Sequence, residues 1–311
     1  MFSLREIAVS LDCFMLLYCL LSMLVATVWR LLKPSYIAQR SVAAILFGLR
    51  IFPLLASVII TFALVVPSFQ LLEPLLRNES MGAIPLTLGV CALLLIGWGS
   101  YRAITAQVRT TRVVTQWLEG AQPLQADTIP TRTFESRCDA PPLILVGVRN
   151  ARVLVSESTV ALLSQGELRM ALKHELEHMK SRDNLKRLIL AMCPFPGMTQ
   201  LEGAWSQATE LAADDAAVSN QCDALDLAAA LVKLSHLVPV TAPVCSAAFV
   251  AGSISQRVAL LLEWDEDSKS RRVHVRTWFV IPFAVALSLF VSIAYHPVLV
   301  LTHEVTEWLV R

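Results

Sequence analysis

Apolar residues along this chain come in two regimes. Unbroken runs of membrane length cover residues 13–29, extendable back to Ile7, then about 42–66, 83–98 and 278–295. At about 1.5 Å per residue, a run of roughly 20 residues crosses a hydrocarbon core as a helix. Between the third and fourth runs the pattern shortens to the periods of ordinary helices and strands. The chain therefore divides into residues 1–102 with three spans, an inserted segment 103–276, and residues 277–311 with a fourth span and a short tail.

The insert begins with a helical pattern over Ala103–Glu119 that continues inward from the third span. After a proline-rich loop, two β-rich runs, Leu143–Val148 and Arg152–Ser156, flank the turn-like Arg149-Asn150-Ala151. Such a pair suits a cleft whose edge strand pairs with an extended peptide, and it equally suits a hairpin supporting a core. Ser164 and Glu167 then form a capping box at the head of a periodic helix through Leu168, Ala171 and Leu172. The apolar stretch Leu185–Cys193, closed by Pro194 and Pro196, is too short to span and either docks on the membrane or packs in the core.

Composition supports the membrane reading. The 311 residues are 55% hydrophobic and 16% charged, where soluble domains average about 25% charged residues. A net charge of +1 gives no basis for a direct nucleic-acid ligand. The seven cysteines form no C-x-x-C pair, which argues against a disulfide framework or a cysteine zinc site and for a reducing compartment. Basic clusters flank the runs at Arg30, Lys33 and Arg40, at Arg102, Arg109 and Arg112, and at Arg271, Arg272 and Arg276. Positive flanks mark the cytoplasmic side, so both termini are expected outside an inner (plasma) membrane and residues 103–276 in the cytoplasm. Arg50, inside the second run with Pro53, is expected to snorkel toward the basic side.

Within the insert, His174-Glu175-Leu176-Glu177-His178 falls on the capped helix. Histidines four apart project from one helix face, where two ring nitrogens can grip one Zn²⁺ while Glu175 takes a proton from the attacking water. The competing reading is a solvated charged face, with Lys173 and Lys180 paired to the glutamates. Two histidines leave zinc under-coordinated. The alanine-rich stretch Glu210-Leu211-Ala212-Ala213-Asp214-Asp215 offers Glu210 as third ligand and Asp214, with Asp215 competing, as the carboxylate that orients a histidine.

The zinc helix, its extension Arg182-Asp183-Asn184-Leu185, and Glu210-Leu211-Ala212-Ala213-Asp214 together resemble the BlaR/MecR-type membrane metallopeptidases, relatives of the HtpX and CAAX-prenyl endopeptidases among the gluzincins. The resemblance covers the four-span layout and roughly residues 142–262. It implies a mainly α membrane protein with four transmembrane helices and an inserted α+β zincin-like domain. It also implies His174, His178 and Glu210 as ligands, Glu175 as general base and Asp214 behind the ligands. Arg257 corresponds to a family arginine that touches substrate or the Asp214 region, or makes a structural salt bridge. The residues after the fourth span are too few for the penicillin-binding sensor of the antibiotic receptors, so β-lactam sensing by that route is not expected. The implied activity is zinc-dependent cleavage of a protein at the cytoplasmic face, either a repressor in regulatory signalling or a membrane protein in HtpX-like quality control. A non-catalytic zinc-binding signalling or scaffold subunit is the alternative from another class.

Overall fold

The long apolar runs fold as helices that turn their large side chains outward. Leu20, Leu24, Phe62 and Leu94 are each more than half exposed. That arrangement is costly in water and suits a lipid surround. A computed structural model describes residues 4–32, 39–72, 83–124, 133–136, 141–237, 246–248, 254–265 and 295–306. In it, α1 (Leu4–Leu32), α2 (Gln39–Ile60) with its continuation α3 (Val66–Leu72), and α4 (Ala83–Leu118) pack side by side. Three stretches are long and apolar enough to cross a membrane: Glu6–Leu31, Val42–Leu72 and Pro85–Leu118. The fourth expected span lies outside the described residues.

The second run does not end near Val66 as the hydropathy pattern suggested. A π-helical turn over Thr61–Val65 carries it into α3 and on to Leu72. Pro67 has no N–H to give the carbonyl of Ala63, four residues back, and the Tyr295 hydroxyl donates to that oxygen at 3.0 Å. Residues 295–306 are themselves helical, and His303 lies edge-on to Phe69 of α3.

The third span and the helical pattern after it form one continuous helix, α4, whose far end carries Trp117 beneath a five-stranded sheet. The strands are β1 (Gln122–Pro123), β2 (Thr133–Ser136), β3 (Leu143–Val146), β4 (Arg152–Ser156) and β5 (Ser246–Ala248), in the order β1-β2-β4-β3-β5. Only β2 and β4 run parallel; Leu143 pairs with Val155 and Leu145 with Val153 across the central hairpin. Strand alternation sends Leu143, Leu145, Val153 and Val155 into the main core and Ile144, Val146 and Leu154 onto Trp117. Burial on both faces explains why β3 and β4 read as unbroken apolar runs.

The other side of the sheet carries α5 (Glu157–Leu162), α6 (Gln165–Ser181), α7 (Asp183–Met192), α8 (Thr199–Ala217), α9 (Gln221–Ser235) and α10 (Ile254–Leu262). The short apolar α7 settles one alternative left by the sequence: it packs on α4 and α2, not on a bare surface. A Cβ at Gly99 would collide with the Met192 carbonyl, so only glycine lets α4 approach the end of α7 this closely. Between α7 and α8 the elbow Cys193–Met198 wedges among the apolar helices. There Tyr18 donates to the Pro194 carbonyl at 3.2 Å and meets Phe195 edge-on. Arg50 does not snorkel. It is 1% exposed, donates through Nε to Glu202 of α8 at 2.9 Å, and bonds the Cys193 carbonyl. A partner on α8 holds it inside the protein, which removes the reason to reach for the interface.

Candidate metal centre

Helix α6 begins where the sequence placed it. Ser164 Oγ accepts from the Glu167 N–H, and the Glu167 carboxylate accepts from the Ser164 N–H. From that start, His174 and His178 fall on the face turned toward α8. His174 and Glu175 are fully buried and His178 is 1% exposed, so the solvated-face reading does not hold for them. Exposed Lys180 pairs with Glu177, which is itself buried, whereas Lys173 reaches Asp223. Helix α8, rich in alanine, sets Glu210 and Asp214 one turn apart on the opposing wall, both buried.

The two ring nitrogens converge: His174 Nε2 and His178 Nε2 lie 3.1 Å apart. Glu210 Oε2 is 3.5 Å from the first and Oε1 is 3.6 Å from the second. Two imidazoles on a tetrahedral ion at 2.0–2.1 Å would place their nitrogens about 3.3 Å apart, so the set admits an ion with little movement. His174, His178 and Glu210 thus form a group able to hold a metal ion. Both oxygens of Glu175 are buried without a hydrogen-bond partner among the described residues.

Each histidine is backed by a carboxylate at its other nitrogen. His174 Nδ1 lies 2.8 Å from Asp214 Oδ1, and His178 Nδ1 lies 2.7 Å from Asp183 Oδ2. Such a partner fixes the ring and leaves Nε2 for the ion. Asp214 was legible in the sequence; Asp183 as an orienter was not. Its position depends on Arg182, a left-handed residue (φ 54°, ψ 40°) that ends α6 and turns the chain directly into α7. Next to it, the Asn184 side chain donates to the carbonyls of Leu145 and Gly147, tying β3 to the first turn of α7.

Charges at the centre are strongly coupled. Burial pulls the His178 pKa down, but Glu210, Asp183 and Glu175 outweigh it and push it up to about 10. His174 also rises, because Asp214 and Glu210 overcome its burial. Burial would raise Glu210, yet His178, His174 and Arg257 hold it well below the usual carboxylate range. Glu175 goes the other way: burial raises it, and the histidines offset only part of that.

Arg257 of α10 binds both oxygens of Asp214 at 2.6 Å and Glu210 Oε2 at 3.1 Å, at 2% exposure. It stands behind the ligands as a salt bridge. Arg187 of α7, not singled out from the sequence, lies 3.6 Å from Glu210 Oε1. His236 is exposed at the end of α9 and does not join the cluster. The β3–β4 hairpin offers no free edge, because β2 and β5 cover it on either side. No protein-family model matches the chain, and no curated protein matches it either.

Proposed function

We propose that this chain is an integral-membrane zinc endopeptidase of the BlaR/MecR type. Its working site consists of His174, His178 and Glu210 as ligands and Glu175 as general base. The observation that carries the reading is Glu175: a fully buried carboxylate beside two converging imidazoles, with neither oxygen engaged by the fold. A structural glutamate that deep would be paired, because an unpaired buried carboxylate costs several kcal/mol. A base waiting for water and substrate has a reason to be left open. Two imidazoles and one carboxylate are a donor set that suits zinc with one position left for catalysis.

When bound, the ion would polarise the scissile carbonyl and acidify the attacking water. Glu175 takes the proton as the water oxygen bonds the carbonyl carbon, then passes it to the departing amine. The raised pKa of Glu175 suits both halves of that task. Asp183 and Asp214 keep the rings aimed, and Arg257 holds Glu210 and Asp214 in register. With the basic flanks facing the cytoplasm, the site stands at the inner face of the membrane. Its substrate is then a cytoplasmic or membrane-anchored protein.

The test uses the purified full chain in lipid nanodiscs, with unfolded casein as substrate. Wild type is expected to hold one zinc and to cut casein in a chelator-sensitive way. Glu175→Gln is expected to hold the same zinc and cut about 10²–10⁴-fold more slowly. Equal cleavage by the two proteins overturns the role of Glu175. Zinc without turnover in the wild type favours a scaffold subunit.

A further inference from the structure

Helix α4 carries one exposed apolar face over most of its length. Leu86, Leu94, Trp98, Tyr101, Ile104 and Val108 fall on that side, all exposed, with Trp98 stacked on Tyr101. From Leu86 to Val108 the helix rises about 33 Å, close to the roughly 30 Å of a hydrocarbon core. Arg112 continues the face one turn beyond Val108, and Arg102 and Arg109 flank it; all three are exposed.

Helix α1 marks the same depth. Gly89 of α4 lies against Asp12 of α1, and further along both helices Gly99 and Tyr18 meet Pro194, so the two run in parallel. Leu31, the last exposed apolar side chain described on α1, stands as many residues beyond the Asp12–Gly89 contact as Val108 does. Both helices thus lose their apolar surface at one level. Arg109 and Arg112 follow within about 6 Å, inside a headgroup layer roughly 5–8 Å deep.

Nothing on α4 answers those charges. Ala83–Leu118 contains no aspartate or glutamate, and among the described residues no carboxylate pairs with Arg102, Arg109 or Arg112. Arg109 and Arg112, three residues apart, are neighbours on the helix surface and repel each other. A shallow groove of about 460 Å³ opens beside Arg112, lined also by Gln107, Val108, Thr111, Thr115 and Gln116, and its size suits a small headgroup. A zwitterionic lipid brings its own cation to the phosphate. A lipid of net negative charge leaves its phosphate to the arginines, whose planar forks can each hold two of its oxygens.

We propose that this end of α4 binds anionic phospholipid. Arg109 and Arg112 hold the headgroup phosphate, Arg102 extends its long stem toward the same layer, and the acyl chains lie along Trp98, Tyr101 and Ile104. None of these residues belongs to the metal centre.

The test places the full chain in phosphatidylcholine vesicles with a trace of lipid spin-labelled on its acyl chain, either phosphatidylglycerol or phosphatidylcholine. Electron spin resonance separates lipid held at the protein from free lipid. Wild type is expected to hold phosphatidylglycerol at least about fivefold more strongly than phosphatidylcholine, the worth of one basic residue at the headgroups. Replacing both residues, Arg109→Gln and Arg112→Gln, should bring that ratio below about twofold, and Arg109→Lys with Arg112→Lys should keep part of it. No preference in the wild type, or an undiminished one in the glutamine variant, overturns the proposal. Arg149→Gln removes an exposed arginine from the β3–β4 turn and should leave the ratio unchanged. A fall there equal to that of the α4 variant would trace the preference to overall charge and overturn the site. Glycerol phosphate in large excess, which has the headgroup chemistry without chains, should leave the lipid in place; displacement would make this a site for soluble phosphates and overturn the lipid assignment.

Discussion

At the scale of single residues, the charges around His178 favour its protonated form, and a bound metal would have to displace that proton. His178, with an ordinary value of 6.5, is pushed up to about 10 by Glu210, Asp183 and Glu175 against its burial. Its folded pKa therefore lies above its unfolded one. Its ion pairs favour the folded, metal-free chain fully below about pH 6.5, and that contribution fades as pH rises through about 10. Metal binding needs the neutral ring, so zinc affinity should rise across the same window by up to tenfold per pH unit. Calorimetric zinc titrations at pH 8, repeated in buffers of different ionisation enthalpy, should show at least about one proton released per ion. No proton release would place His178 outside the ligand set. The histidine pair, Glu175, Glu210 and Asp214 were legible because helical spacing alone puts them on shared faces. Asp183 and Arg187 were not, because their positions depend on a left-handed arginine at the break between two helices, a conformation that sequence assigns to glycine or asparagine.

Among the elements, the contact between α2 and α8 matters most to the site, because α8 also carries Glu210 two turns beyond Glu202. The Arg50–Glu202 pair is asymmetric: the arginine is 1% exposed and the glutamate 38%. Removing the arginine returns a half-exposed glutamate toward water, whereas removing the glutamate leaves a buried guanidinium with the Cys193 carbonyl. Glu202→Ala should therefore cost about 3 kcal/mol and Arg50→Met about 1 kcal/mol. Thermal unfolding in one detergent should place Glu202→Ala several degrees below Arg50→Met; the reverse order would contradict the pairing. Hydropathy found the long helices and the β3–β4 hairpin because each buries or exposes a continuous apolar run. It missed β2, where only four residues add to the sheet in parallel with β4, and it stopped α2 early because the π-helical turn keeps the helix going past Val66.

Across the whole molecule, the sheet and its helices are not hung from the apolar bundle by a linker. α4 runs unbroken from one into the other, and the elbow between α7 and α8 is set among α1, α2 and α4. Composition pointed to helices apolar enough to cross a membrane, but it could not show this wedge. Tyr18, Arg50 and Gly99 acquire their partners only through tertiary packing with residues about 90 to 180 positions away. The consequence is that helices fit to cross a membrane bear directly on the helix that supplies Glu210, which suits a site working on proteins at the membrane surface. The most direct measurement is a map of new protein N-termini in cells carrying the wild type or Glu175→Gln at equal abundance. Termini that appear only with the wild type, in membrane-anchored or membrane-adjacent proteins, are the expected result. Identical sets of termini in the two strains would contradict a peptidase built on Glu175.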